Sequence, residues 1–401
     1  VHDALLDGLI QQSDGKILLF VMDGVGDLPY PGAPGTALQA ARTPNLDALA
    51  ARSSCGLLDP VAPGITPGSG PAHLGLFGYD PVRWVVGRGV LEALGAGFSL
   101  KPGDLAIRAN FCTLDAHGRV TDRRAGRIAT QENRRLVAKL RSAADLPQVD
   151  VFIGTAAEHR AYIVLRGGDL SAEIRETDPQ KVGVPPLAPE PLSTEATRSA
   201  ELLKTILGNA REALAGEDRA NMLLLRGYAI HRPLPSFRER YGLRAIALAD
   251  YPMYRGLAAL VGMQVSPALP ALEDRLAQMA SNWTAYDFFF LHYKKPDSAG
   301  EDGDFPSKIR AIEHVDMLLP SALELEPDVV VITADHSTPC LLKAHSWHPV
   351  PVLLQSKHCL PDGVTEFHER ACVTGSLGRM SSKQLMPVML ANAGRLRKYG
   401  A

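Results

Sequence analysis

The chain has 401 residues, 46% of them hydrophobic and 21% charged, with a formal net charge of −2 at pH 7. That length and apolar content supply a core for one large α/β domain or for two domains. The near-zero charge argues against nucleic acid or an anionic membrane surface as the main partner. Five cysteines (Cys55, Cys112, Cys340, Cys359 and Cys372) are scattered without CxxC or zinc-finger spacing, which fits a reduced, cytoplasmic location. No apolar run reaches membrane-spanning length, and no charged segment precedes an apolar leader. The chain is therefore expected to be cytoplasmic and without a membrane partner.

In chain order, the first predicted strand is Lys16–Met22, an apolar run that stops at Asp23-Gly24-Val25-Gly26-Asp27. Thr43-Pro44-Asn45-Leu46-Asp47 predicts a helix start, with proline at the first helical position. A short strand is expected at Cys55–Leu58. It leads into a Gly- and Pro-rich loop that tightens onto Ser69 before a helical pattern. Ser69 there is either a helix cap or a nucleophile at a helix N-terminus, where free N–H groups and the helix dipole favour phosphate. After Gly87-Arg88-Gly89 the character changes. Leu105–Arg166 reads as strand, turn, strand, helix over Gln131–Arg141 and two more strands, a small α+β unit inserted into a larger fold. The Pro-rich stretch Val184–Pro191 reads as its exit linker.

The larger fold then resumes with a helix at Ser193–Leu214, strands at Asn221–Leu225 and Arg244–Leu248, and a helix at Met253–Val261. Two further apolar runs end in polar residues. Tyr286–His292 leads to Lys294-Lys295-Pro296-Asp297, and Pro327–Ala334 leads to Asp335-His336. β-Branched runs that stop at acids and imidazoles are the mark of buried parallel strands, whose C-terminal ends carry the chemistry of open α/β sheets. Asp and His delivered from separate strands, with His345 a few residues on, suit divalent Mn, Mg, Co or Zn. Gly24-Val25-Gly26 lacks the third glycine of a dinucleotide loop, no P-loop occurs, and Ser69 lacks a hydrolase elbow. A serine on a glycine loop beside metal-type ligands fits phosphoryl transfer through a metal-activated hydroxyl.

These residues resemble the archaeal-type cofactor-independent phosphoglycerate mutases of the alkaline phosphatase superfamily. The matching motifs are Met22-Asp23-Gly24, Thr43-Pro44-Asn45-Leu46-Asp47, Pro67-Gly68-Ser69 with Ala72-His73-Leu74, and Gly78-Tyr79-Asp80-Pro81. Gly87-Arg88-Gly89, Asp250–Ala258, Lys294–Asp297, Asp302-Gly303-Asp304, Thr333–Pro339 and His345-Ser346 follow in order. The resemblance implies an α/β fold with a mainly parallel sheet sandwiched by helices, formed by residues 1–99 and 185–401. It also implies an inserted ferredoxin-like α+β substrate or lid domain at 100–184. It implies interconversion of 3-phosphoglycerate and 2-phosphoglycerate through a phosphoserine at Ser69, with two divalent metals and no 2,3-bisphosphoglycerate. Asp23, Ser69, Asp335 and His336 would hold one metal, and Asp297, Glu301 and His345 the other. His73, Arg88, Arg160, Arg226 and Arg255 are the candidate substrate contacts, since arginine grips phosphate or carboxylate bidentately.

Two positions depart from the family. Glu301 stands where many relatives place His, which would harden that metal site. Gly70 stands where relatives often carry an acid. The partner expected is a small phosphorylated carboxylic acid, and a homo-oligomer is compatible with the sequence. The alternatives are a homoserine kinase-like or phosphopentomutase-like phosphotransferase of the same superfamily, or a relative that binds phospho-ligands without turnover.

Overall fold

Residues that alternate between apolar runs and Gly/Pro-rich turns in this sequence build two separate sheets. The structure, a computed structural model, describes Leu5, Leu6 and residues 8–400. The chain divides into two compact units. One comprises the chain up to Val85, Pro235–Tyr254 and the chain from Val261 onward, and the other comprises Val86–Leu234 with Arg255–Leu260.

The strands in chain order are β1 (Ile17–Met22), β2 (Ser54–Asp59), β3 (Leu105–Leu114), β4 (Val120–Asp122), β5 (Asp150–Ala157), β6 (Arg160–Arg166) and β7 (Met222–Ile230). They continue with β8 (Ala245–Leu248), β9 (Gln264–Val265), β10 (Phe288–Tyr293), β11 (Val329–Thr333), β12 (Val350–Ser356) and β13 (Gly378–Ser381). The first unit carries an eight-stranded sheet in the order β13-β2-β12-β11-β1-β10-β8-β9. Every neighbouring pair is parallel except those of β12, which runs antiparallel to β11 and to β2. Every residue of β1, β10 and β11 is buried. Because successive side chains point to opposite faces, this means both faces are covered, and that is why these strands read as unbroken apolar runs. Burying one such Leu, Ile or Phe side chain contributes about 1.5–3 kcal/mol.

Register aligns the strand ends. Met22 pairs with Tyr293 and Val21 with Thr333, so Asp23, the Lys294–Asp297 segment and Asp335-His336 leave the sheet at one edge.

The second unit joins β3, the helix Thr130–Ala143, β5, β6, the helix Thr197–Ala213 and β7 into one antiparallel sheet. Its order is β7-β3-β6-β5, with β4 also paired to β3. This is the ferredoxin-like βαββαβ arrangement. Its limits differ from the expected 100–184. The helix expected at Ser193–Leu214 and the strand expected at Asn221–Leu225 belong here and not to the larger fold. Without β7, β3 would be left as a bare edge carrying unpaired backbone groups. The stretch at Val184–Pro191 is likewise no exit linker. It is pinned inside the unit by bonds from Leu187 N–H to Thr177 O at 2.9 Å and from Arg175 N–H to Glu190 O at 2.9 Å.

The Gly87-Arg88-Gly89 motif starts the helix Arg88–Gly95, which packs on β3. A Cβ at Gly89 would stand 2.2 Å from the Ala106 carbonyl oxygen, and one at Gly87 would stand 2.3 Å from the Ala229 Cβ. Those glycines are set by close packing. Among the described residues no helix is long and apolar enough to cross a membrane.

Candidate active site

The polar residues released at the sheet edge of the first unit converge. Asp23 follows β1, and Asp335 and His336 follow β11, all three fully buried. Ser69 is the first residue of the helix Ser69–Leu76, whose N-cap is Gly68 in extended conformation with no side-chain cap. The first-turn N–H groups of Ser69 and Gly70 thus point out of the helix start, and Pro71 carries none. Around His336 Nε2 lie Ser69 Oγ at 3.3 Å, Asp23 Oδ1 at 3.4 Å and Asp335 Oδ2 at 3.2 Å. Asp23 Oδ1 and Asp335 Oδ2 are buried without a hydrogen-bond partner.

Separations of this size are those of ligands sharing a small divalent ion at about 2.0–2.1 Å. Unsatisfied buried carboxylate oxygens are costly unless such a cation binds them. The donors therefore fit a metal.

Among the described residues, the ligand atoms that cluster form two groups, Asp23/Asp335/His336 and Asp297/His336/His345. Asp297 lies in the helix Lys295–Asp302, with its Oδ1 3.7 Å from His345 Nε2 and 3.9 Å from His336 Nδ1. The His336 and His345 rings stack at 3.6 Å. His345 Nδ1 lies 2.9 Å from the Pro67 carbonyl oxygen, to which it donates, so its Nε2 is left as the acceptor facing Asp297. His336 thus stands between the two groups and belongs to both. Glu301 belongs to neither. It sits one turn after Asp297 on the same helix, exposed, with its carboxyl held above the usual range by partial burial and by the Asp297 charge.

Electrostatics separate the two central carboxylates. Burial works against Asp23, yet its hydrogen bond to His292 and the Lys294 ammonium hold its carboxyl well below the usual range. Asp335 is pushed well above that range by burial and by the charges of Asp23 and Asp297. The Lys294 ammonium lies 3.4 Å from Asp23 Oδ2 and bonds Asp297 Oδ2.

Four residues in this cluster are not among the candidate site residues read from the sequence. Tyr254 donates to Asp23 Oδ2 at 2.5 Å, and His292 Nε2 lies 3.3 Å from the same oxygen. Thr338 Oγ1 is 2.6 Å from Asp297 Oδ1 and 3.0 Å from His336 Nδ1. Lys294 is the fourth. Each lies inside a stretch that the sequence does single out, Asp250–Ala258, Tyr286–His292, Thr333–Pro339 or Lys294–Asp297, which is the signal that could have found it.

His73 turns inward. It is fully buried behind Ser69, with Nδ1 2.8 Å from the Ser69 carbonyl oxygen and 3.3 Å from Asp335 Oδ2. Burial and the neighbouring His292 lower its pKa to about 3, so it is neutral and donates that proton to the carbonyl. It positions the serine's turn.

The candidate arginines lie in the second unit. Register sets Arg108 opposite Arg226 and Asn110 opposite Arg160, which puts the three arginines on one face of the sheet. Glu92, on the helix packed over that face, has its carboxylate oxygens 3.8 Å from Arg108 Nε and 3.9 Å from Arg160 Nε. Burial and the charges of Arg160, Arg108, Arg124 and Arg127 lower the pKa of His159 to about 4, a mark of strongly positive surroundings. Arg226 is engaged within the fold, at 3.2 Å from Glu176 and 3.3 Å from Asp178. Arg88 is exposed at the start of its helix, and Arg255 is half-buried.

Comparison with known proteins places this geometry in a family. Residues 50–219 match the model described as 2,3-bisphosphoglycerate-independent phosphoglycerate mutase. A Thermus thermophilus protein named "Probable 2,3-bisphosphoglycerate-independent phosphoglycerate mutase" is 51% identical over 402 residues, covering 99% of each chain. A Deinococcus radiodurans protein of the same name is 49% identical, covering 98% of each. Among solved structures, a Pyrococcus horikoshii protein matches with TM-score 0.82 at 30% identity, over 96% of this chain and 99% of that one. The cofactor-independent phosphoglycerate mutase of Thermoplasma acidophilum matches with TM-score 0.71 at 30% identity, over 94% and 100%. With half its residues identical to those of relatives matched end to end, the chain belongs to the 2,3-bisphosphoglycerate-independent phosphoglycerate mutase family.

Proposed function

We propose that the protein interconverts 3-phosphoglycerate and 2-phosphoglycerate, a step of glycolysis and gluconeogenesis, through a phosphoserine at Ser69. The observation that carries this reading is Ser69 Oγ at a helix N-terminus, 3.3 Å from His336 Nε2 and facing two buried carboxylate oxygens without partners. Asp23, Ser69, Asp335 and His336 would hold one divalent ion, and Asp297 and His345, with His336 beside them, a second; Mn, Mg, Co and Zn suit these donors. Such ions, when bound, favour ionisation of the Ser69 hydroxyl and neutralise phosphoryl oxygens.

The chain's own residues do the rest. The Ser69 and Gly70 N–H groups at the helix start receive phosphoryl oxygens. His73, neutral, holds the Ser69 carbonyl and with it the orientation of Oγ. In the first transfer the Ser69 Oγ–P bond forms as the substrate's ester O–P bond breaks, and the proton lost by Ser69 is balanced by one taken up on the freed glycerate oxygen. In the second, the other glycerate hydroxyl takes the phosphoryl group from Ser69, and the serine regains a proton. The glycerate must stay bound between the two steps and water must stay out. Recognition of its carboxylate is a task for guanidinium groups, and Arg160, Arg88 and Arg255 are the candidates for it.

Phosphate-labelled 3-phosphoglycerate with Mn2+ tests the reading. Label on Ser69 and 2-phosphoglycerate as product are expected, and both should vanish in Ser69→Ala. Full turnover in a folded Ser69→Ala protein would overturn it.

A further inference from the structure

Deep behind the ligand cluster lies a charge that the proposed chemistry does not use. Lys308, on the helix Phe305–Leu323, is fully buried. Its ammonium donates to the carbonyl oxygens of Gly26 at 3.1 Å and Thr338 at 2.9 Å, and lies 3.3 Å from Asp27 Oδ2. Two hydrogen bonds go to carbonyl oxygens, and Asp27 is held as an ion pair whose Oδ2 makes no hydrogen bond. Gly26 is three residues past Asp23, and Thr338 is two past His336. The ammonium therefore ties the loop after β1 to the loop after β11.

The same crossing is reinforced from both sides. Thr338 N–H reaches Gly24 O at 3.3 Å and Gly26 O at 3.0 Å, and Asp27 Oδ1 accepts from the N–H of Leu28 at 2.8 Å and of Cys340 at 3.1 Å. The Thr338 side chain then passes the constraint on, since its hydroxyl touches Asp297 Oδ1 at 2.6 Å and His336 Nδ1 at 3.0 Å. Close packing leaves this threonine no other place. A Cβ on Gly300 would stand 2.2 Å from its carbonyl oxygen, and one on Gly24 would stand 2.6 Å from its Oγ1.

We infer that Lys308 is a positioning residue for the metal ligands, an internal cation that fixes the Asp23 and Asp335-His336 loops relative to each other and orients Asp297 and His336 through Thr338. A buried ion pair is a poor device for stability alone, because well-packed apolar groups of similar volume serve as well or better. It is an effective one for fixing where two loops cross, because the ammonium satisfies carbonyls that water cannot reach. The inference rests on the metal-binding reading of the cluster and not on the identity of the substrate.

The test removes both charges at once with Lys308→Met/Asp27→Asn in the full chain. Mn2+ affinity is measured by calorimetry without substrate, alongside the unfolding midpoint of the metal-free protein and the split between kcat and KM. The expected result is an Mn2+ affinity lower by roughly 10- to 100-fold, the usual loss when outer-shell partners are removed. The metal-free midpoint should fall as well, because the Gly26 and Thr338 carbonyls lose their donor, so Mn2+ affinity is read where every protein is fully folded. The kcat loss should shrink at saturating Mn2+, with KM for the phosphorylated substrate unchanged. Thr338→Val, which removes only the relaying hydroxyl, is expected to lose affinity in the same direction and covers the case in which the double variant does not fold. Parent-like Mn2+ affinity in either folded variant would overturn the inference, as would a parent that binds no divalent ion. A parent that binds Mn2+ but shows no mutase activity would refute the proposed function and leave this inference standing.

Discussion

Gly24→Ala probes the site at the point where backbone and ligand geometry meet. Gly24 follows Asp23, has a φ of +61°, and donates its N–H to Asp335 Oδ1 at 3.2 Å. An alanine there incurs two separate penalties. The left-handed backbone costs a residue with Cβ roughly 1–2 kcal/mol. The new methyl carbon would also stand 2.7 Å from Asp297 Oδ1 and 2.6 Å from Thr338 Oγ1. Ordinary contact begins near 3.4 Å, so the Asp297 carboxylate must retreat by about 0.7 Å. That exceeds the ~0.5 Å within which a functional constellation holds its geometry. The expected consequence is a loss of Mn2+ affinity of roughly 10- to 100-fold. Gly32→Ala is the matched control, because Gly32 has a φ of +79° and nothing within 4 Å of an added Cβ. Both variants should lose the ~1–2 kcal/mol backbone cost in urea unfolding of the metal-free protein, Gly24→Ala more because of its added contacts, and only Gly24→Ala should lose Mn2+ affinity by calorimetry. Equal Mn2+ affinities in the two variants would refute the reasoning.

Arg160→Ala should lower mutase turnover roughly 10- to 100-fold, the worth of one charge-assisted contact, while phosphorylation of Ser69 falls much less and release of free phosphate rises; single-turnover labelling that shows equal loss of both steps would assign Arg160 another task. Because Glu301 lies outside both ligand groups, Glu301→His should leave the order of metal preference and the reaction unchanged, as read from activity after EDTA treatment and reconstitution with each metal in turn. A shift of that order toward Zn2+ would bring position 301 into the metal chemistry. His159 supplies a pH test. Its folded pKa, lowered to about 4 chiefly by burial, lies below the ordinary value of 6.5, so the unfolded chain binds a proton that the folded one does not. Its contribution to stability is present above pH 6.5 and is lost as pH falls toward 4, with a slope approaching about 1.4 kcal/mol per pH unit. Urea unfolding of His159→Gln should show a flatter acid limb over that window, and an identical limb would remove His159 from the account.

The sequence by itself determined the strands of the large sheet and the residues at their ends. A buried parallel strand is apolar on both faces and must stop where polar ligands begin, and this pattern is local, readable at Lys16–Asp23 and Pro327–His336 without any knowledge of neighbours. Ser69 was marked in the same way by a glycine-rich helix entry, and the motifs in order were enough to bring out the family. Only the tertiary structure decided how these pieces partner. The helix Thr197–Ala213 and β7 look like any amphipathic helix and apolar strand. Their membership of the second unit follows from β3, far earlier in the chain, needing a partner on its free edge. The same holds within the site. His73, outwardly a helix histidine beside a nucleophile, turns inward because helical spacing places it under the Ser69 carbonyl. Arg226 is claimed by Glu176 and Asp178 from a distant loop. Tyr254, Thr338 and Lys308 acquire their roles purely from what lies across the fold, since a hydrogen bond to a buried carboxylate or carbonyl leaves no mark in the residues beside it in sequence.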